Sequence, residues 1–253
     1  MSWRPGCWWP GMSDCVVFKN AGKHFDGKWV FRNLDLALPS GKTTAIVGAS
    51  GSGKTTLLQL INAVLRAEEG EVEVFGAPVP HAQVEKFRRR IGYAVQGAGL
   101  FPHMTVRQNV ALLPKLEGWT QSDIDLRLLE LYELVDLDPG LADRFPHQLS
   151  GGQQQRVGLC RAMVLRPGMW LLDEPFSSVD PITRAEIHDQ FARLQAHENV
   201  SAVLVTHDIR EAVRLAAQLV IMGKGEVLQA GPTADVVANP AHEYVKELLE
   251  TQL

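Results

Sequence analysis

"TTAIVGASGSGKTTLLQLINAVL", residues 43–65, carries the reading that decides the fold. Thr43 to Val47 have the β-branched and apolar composition of a buried strand. Residues 48–55 then fit G-x-x-x-x-G-K-[ST], and from Lys54 onward apolar residues recur at helical spacing. A glycine loop between a strand and a helix is the context in which this pattern grips phosphate. Its glycines let the backbone curl so that successive N–H groups point at phosphate oxygens, and the helix N-terminus adds its positive end. Lys54 is expected to reach the β- and γ-phosphates, with the Thr55 hydroxyl in a Mg²⁺ shell. Gly48, Ala49, Ser50, Gly51, Ser52, Gly53, Lys54, Thr55 and Thr56 are the expected nucleotide-binding set.

Upstream, "CVVF" (15–18), "WVF" (29–31) and "LDLAL" (34–38) read as short strands separated by Gly, Asn, Asp and Pro. Downstream come "EVEVF" (71–75) and "IGYAV" (91–95), then helical texture from about Gly97 to Arg156, where Leu128, Leu131, Leu134 and Val135 form one stripe. Buried strands return at "MWLLD" (169–173) and "SAVLVTHD" (201–208), joined by a helix with Ile187, Phe191 and Leu194 at helical spacing. "QLVIM" and "EVLQA" precede a helical tail. This alternation predicts an α/β fold with a mainly parallel sheet and helices on both faces. An antiparallel β edge and a helical lobe inserted at about 97–156 complete one domain over 13–253.

The chain's 253 residues suit one large α/β unit with a smaller lobe. With 45% apolar and 21% charged residues, a net charge of −4 and a pI near 6.1, it has no global attraction for nucleic acid or anionic lipid. The basic run Lys86 to Arg90 reads as a solvated face. Cys7, Cys15 and Cys160 form no CxxC pair, which suits a reducing compartment. No apolar stretch is long enough to cross a bilayer. The first eleven residues, "MSWRPGCWWPG", lack the apolar core of a signal peptide. Residues 1–12 are expected to be a leader that is disordered or not native, with the working chain starting at Met12.

"MWLLDE" ends a strand in two carboxylates. Strands commonly end in acids at surface turns, but after a phosphate loop in the same sheet the pair gains a chemical reading. Asp173 can hold Mg²⁺ through its water, and Glu174 can polarise the water that attacks the γ-phosphate. His207, ending "AVLVTH", stands at the carboxyl edge of a parallel sheet, where ligands gather. Gln96, after "IGYAV", offers a neutral side chain to Mg²⁺ or the water.

A second glycine-bearing loop, "LSGGQQQR" (149–156), also runs into a helix but has no lysine. The phosphate loop, Gln96, "LSGGQQQR", "LLDEP", "SSVD" and "LVTHD", in this order, resemble the ATP-binding subunit of ABC transporters over about residues 14–250. The resemblance implies that Ser150, Gly151, Gly152 and Gln153 are the signature motif, that Ser177 to Asp180 are the D-loop and that His207 is the switch histidine. It implies that Phe25 in "KHFDG", with Trp29 nearby, stacks on adenine. In that family two subunits face head to tail, each ATP lying between one subunit's phosphate loop and the other's signature loop. The second loop then needs no lysine, because the partner's Lys54 already holds the phosphate.

"GLFPHMTVRQNVALLPKLEGW" (99–119) and "DEPFSSVDPITR" (173–184) resemble the osmoprotectant branch of bacterial importers. That implies ATP and Mg²⁺ as cofactors, glycine betaine, choline or a related quaternary amine as cargo, and a homodimer on the inner face of the cell membrane. Membrane permease subunits and an extracytoplasmic solute-binding protein would be its partners, with no nucleic acid. "FSSVD" departs from the usual "FSALD", a change the D-loop should tolerate. The paired CBS modules of many osmoprotectant ATPases are not in this sequence, so ionic-strength sensing by them is not expected. An importer of an amino acid or oxyanion would share the ATP-site residues. A soluble ABC ATPase would bring a second cassette or a coiled coil, a P-loop kinase has no use for "LSGGQ", and a purely structural nucleotide-binding module has none for Glu174 and His207.

Overall fold

Strand β1 (Asp14–Phe25) folds back on β2 (Lys28–Pro39) through Asp26 and Gly27, both at positive φ. Such a two-residue turn matches the twist of the strands it joins. The structure, a computed structural model, describes residues 12–177 and 179–253; residues 1–11 of the expected leader and Ser178 lie outside the described residues. Both strands run twelve residues, so the expected short strands "WVF" and "LDLAL" are one. Asn20 and Asn33, at φ 48° and 51°, mark irregular register rather than strand ends. A β-bulge absorbs a turn-forming residue without stopping the ladder.

Strand β3 (Thr43–Gly48) is buried at every position and leads through the glycine loop into α1 (Lys54–Ile61). The helix stops four residues earlier than the apolar pattern suggests. Ala63 takes φ 61°, and the Asn62 and Ala63 carbonyls accept from the Arg88 guanidinium at 3.1 and 2.8 Å. Next come β4 (Glu69–Val74), the short β5 (Ala77–Pro78) and α2 (Val84–Arg88). The antiparallel sheet has the order β2-β1-β4-β5. The basic run at 86–90 is therefore more than a solvated face: Arg88 closes the end of α1, and Arg89 pairs with Glu117 at 2.7 Å.

The described chain separates into two compact units, one of residues up to Arg88 together with Asn199–Leu253, the other Arg89–Glu198. The second unit opens with β6 (Ile91–Ala94), which pairs in parallel with β7 (Met169–Asp173). Between them lie α3 (Val106–Leu116), α4 (Gln121–Leu134) and α5 (Gly151–Met163), and α6 (Pro181–Glu198) follows. Leu128, Leu131 and Val135 are buried as the stripe required, while Leu134 is only half-buried. Thr105 and Thr120 cap α3 and α4, each accepting a backbone N–H of its own first turn. Arg127 of α4 donates to the Met163 and Val164 carbonyls at 2.7 and 3.3 Å, satisfying the end of α5.

The chain re-enters the first unit as β8 (Ser201–Thr206), α7 (Ile209–Leu215), β9 (Gln218–Gly223), β10 (Glu226–Pro232), α8 (Thr233–Ala238) and α9 (Glu243–Gln252). Strand β3 lies between β8 and β9, parallel to both, and β10 runs antiparallel on β9. Ala45 and Val47 of β3 pack with Ile209, Leu219, Val245 and Leu249, which seats α7 and α9 over the sheet.

Candidate functional site

In the first unit, the phosphate loop follows from how tightly β3 is held. A Cβ on Gly48 would lie 2.2 Å from the Met222 carbonyl of β9, so the strand can enter the loop there only without a side chain. Lys54, the first residue of α1, is buried, and its ammonium donates to the Gly48 and Ala49 carbonyls at 2.8 Å each. The ammonium is thus folded over the loop it would serve. Ala49, Ser50, Gly51 and Thr55 are exposed, and Thr56 is half-buried. Ser52 is buried, and its hydroxyl has no hydrogen-bond partner. A buried hydroxyl left over in such a loop suits a phosphate oxygen as its missing partner.

Phe25 and Trp29 flank the β1–β2 turn and are 44% and 40% exposed. Trp29 is already engaged: Arg32 lies 4.7 Å over its ring, His24 meets it edge-on, and its edge fills the space beside Gly22. Phe25 has the Lys23 ammonium 5.1 Å from its centroid. The freer ring is Phe25, which suits it better to stack on a base. His207 lies one residue beyond β8, not at its last position, and is exposed. Asp208 after it caps α7, accepting from Arg210 N at 2.9 Å and Glu211 N at 3.3 Å.

In the second unit, Asp173 is the buried last residue of β7 and Glu174 the first beyond it, at φ 48°. The left-handed region costs a non-glycine residue energy and turns its side chain away from the strand's course. The Gln96 amide donates to the Glu174 carboxylate at 3.1 Å, so two residues expected to act together do meet. Burial pushes the Tyr93 hydroxyl up to about 12, and the charge of Asp173 adds to the effect.

Ser150 caps α5. Its hydroxyl accepts from Gln153 N at 3.2 Å, while the Gln153 side chain accepts from Ser150 N at 2.9 Å, a closed capping box. The hydroxyl's own proton stays available to a phosphate. The Gly151 and Gly152 amides lie in the first turn, where an α-helix provides no acceptor. A Cβ on Gly151 would meet nothing within 4 Å, which leaves that turn open to a ligand. Three consecutive glutamines divide the work: Gln153 caps, Gln154 donates to Pro146 O at 3.0 Å, and Gln155 turns inward to the Glu174 carbonyl at 2.6 Å. Gln155 is a residue that sequence reasoning missed. Asp180 accepts from Thr183 N at 3.0 Å at the start of α6; of the expected D-loop, Ser178 lies outside the described residues.

The side chains expected to hold a cation, the Thr55 hydroxyl in the first unit and, in the second, the Gln96 amide and the Asp173 carboxylate, all carry oxygen donors. That is the chemistry of Mg²⁺, which keeps several waters and takes few protein ligands besides phosphate. Among the described residues no cluster of three or more His, Cys, Asp or Glu could hold a metal, and no helix is long and apolar enough to cross a membrane.

The ABC transporter family profile matches residues 31–177. The choline transport ATP-binding protein OpuBA of Bacillus subtilis is 41% identical over 235 residues, 92% of this chain and 62% of that protein. The chain thus spans less than two thirds of that relative. The glycine betaine uptake system ATP-binding protein YehX of Escherichia coli is 42% identical over 232 residues, 92% of this chain and 75% of that one. Among solved structures, the dimeric ATP-binding cassette MJ0796 with ADP and Pi, in a post-hydrolysis state, superposes with a TM-score of 0.80 at 30% identity. It covers 86% of this chain and 98% of its own.

Proposed function

Because the chain belongs to the ABC transporter family, we propose that it is the ATP-hydrolysing motor subunit of a membrane importer for an osmoprotectant such as glycine betaine or choline. The observation that carries the motor reading is Glu174, set at φ 48° just past β7 with its carboxylate held by Gln96. A carboxylate so placed next to Asp173 suits a general base for water.

In this reading Lys54 and the loop amides from Gly48 to Thr56 bind the phosphates of ATP, and Phe25 stacks on adenine. Thr55, Gln96 and Asp173 would hold Mg²⁺ through their oxygens, and the ion when bound would neutralise phosphate charge. Glu174 takes a proton from the attacking water, and the His207 imidazole hydrogen-bonds the γ-phosphate. Ser150, Gly151, Gly152 and Gln153 face the ATP of a second copy of this chain, and Asp180 belongs to the D-loop at the same junction. ATP binding closes the pair and hydrolysis releases it, which converts chemical energy into motion.

The cargo reading rests on the sequence at 99–119 and on the choline and glycine betaine transport of the relatives OpuBA and YehX. Asn109 ties that stretch together, accepting from Phe101 N at 2.8 Å and donating to the Met104 and Thr105 carbonyls at 3.0 Å each, while Phe101 stays exposed. We place the permease contact on the part of the lobe from Gly97 to Leu149, with the chain peripheral on the inner face of the membrane. An extracytoplasmic binding protein would deliver the cargo.

The test is uptake of labelled glycine betaine and choline in cells lacking this gene, complemented with the wild-type chain or Glu174→Gln. Sulfate and an amino acid run beside them. Uptake restored by wild type alone supports motor and cargo together. Restoration of sulfate or amino-acid uptake instead would keep the motor and replace the cargo.

A further inference from the structure

Helix α5 begins at the signature glycines and reaches Glu174 through one side chain. Gln155 is buried and stands one helical turn beyond Gly151. Its amide donates to the Glu174 carbonyl at 2.6 Å and to the Ser177 hydroxyl at 3.3 Å, and that hydroxyl donates to the same carbonyl at 3.0 Å. Two side-chain donors thus converge on one backbone oxygen. That oxygen belongs to a residue in the left-handed region, a conformation that persists only where its surroundings hold it. The other end of Glu174 is held separately, by Gln96 on its carboxylate.

We propose that Gln155 is a positioning residue for hydrolysis, tying the signature helix to the backbone of Glu174. When Ser150 to Gly152 engage the phosphate of the facing copy, the helix carries that event to the aim of this copy's own base. One subunit's grip on its neighbour's nucleotide thereby sets its own readiness to hydrolyse. This inference rests on the motor reading above.

The experiment is steady-state ATP hydrolysis by the full chain as wild type, Glu174→Gln, Gln155→Ala and Gln155→Glu. Gln155→Glu keeps the shape but turns a donor into an acceptor facing a carbonyl. Outer-shell partners of a reacting group typically change activity by about tenfold or more. We expect kcat to fall about tenfold in both Gln155 variants while KM for ATP stays within about twofold. We also expect Gln155→Glu to recover relative to wild type as the pH is lowered, because a protonated glutamate donates again. A second readout is ATP-dependent dimerisation of Glu174→Gln/Gln155→Ala, which should match that of Glu174→Gln alone.

Wild-type kcat in both Gln155 variants would overturn the inference and leave the motor reading standing. So would a fall in kcat joined by a rise in KM and a lower thermal midpoint, with no recovery in acid, which is the signature of packing alone. If wild type shows no Glu174-dependent hydrolysis, the motor reading itself fails and takes this inference with it.

Discussion

The Gln96 side-chain amide reaches the Glu174 carboxylate at 3.1 Å, so a residue two positions past strand β6 restrains the one that follows strand β7. Glu174→Gln preserves the size of the side chain and removes the base. ATP turnover is expected to fall by about 100-fold or more, while ATP binding survives. Light scattering should then show an ATP-dependent dimer of this variant. A strict monomer at saturating ATP would count against the head-to-tail reading.

Ser150 does two things that substitution can separate. Ser150→Ala removes both cap and hydroxyl, whereas Ser150→Gly removes the hydroxyl but remains an acceptable cap. Urea unfolding should show Ser150→Ala losing about 1 kcal/mol, with Ser150→Gly losing only a few tenths. Both should weaken the ATP-dependent dimer in a Glu174→Gln background. If Ser150→Gly dimerises like its parent, the hydroxyl has no part in binding the facing nucleotide.

Arg127 and Glu198 form an ion pair at 3.0 Å with side chains only 3% and 5% exposed. Arg127→Met leaves the buried carboxylate only the distant Arg166, 3.9 Å away, and removes the donors to Met163 and Val164, so chemical denaturation should show a loss of about 3 kcal/mol. Arg127→Met/Glu198→Met removes both charges and should recover most of that loss.

Burial raises the pKa of Glu198 above the ordinary carboxylate value, against the pull of Arg127 and Arg166. The folded state therefore holds this proton more tightly than the unfolded chain does. Its contribution is fully present below the unfolded pKa and is lost as the pH rises through the folded one. Across that window the stability of wild type relative to Glu198→Gln should fall as the pH rises, so the two pH profiles should differ in slope. An unchanged slope in Glu198→Gln would assign the titration to another group.

Strands β3, β7 and β8 were legible because every one of their residues is buried, which writes them as runs dominated by apolar and β-branched residues. The continuity of β1 and β2 was not legible, because Asn20 and Asn33 look like turns until their neighbours show them to be irregularities within a ladder. The early end of α1 depends on Arg88, a side chain that no local pattern around Ile61 could include. At the candidate site, Gln96, Asp173 and Glu174 announce themselves by following apolar strands. Gln155 does not, although it lies inside the quoted "LSGGQQQR". Its partner is a backbone oxygen, and backbone atoms leave no letter in a sequence.

The seat of Gly48 under the Met222 carbonyl also dates the phosphate loop within the life of the polypeptide. Residues 89–198 are contiguous and can begin to gather a core while the ribosome is still working. Strand β3 must wait, since β8 and β9 on either side of it are made after all of them. A nascent chain that stalls before Met222 cannot finish the loop that Lys54 opens onto. Competence to hold a nucleotide thus arrives only after β9 has been made.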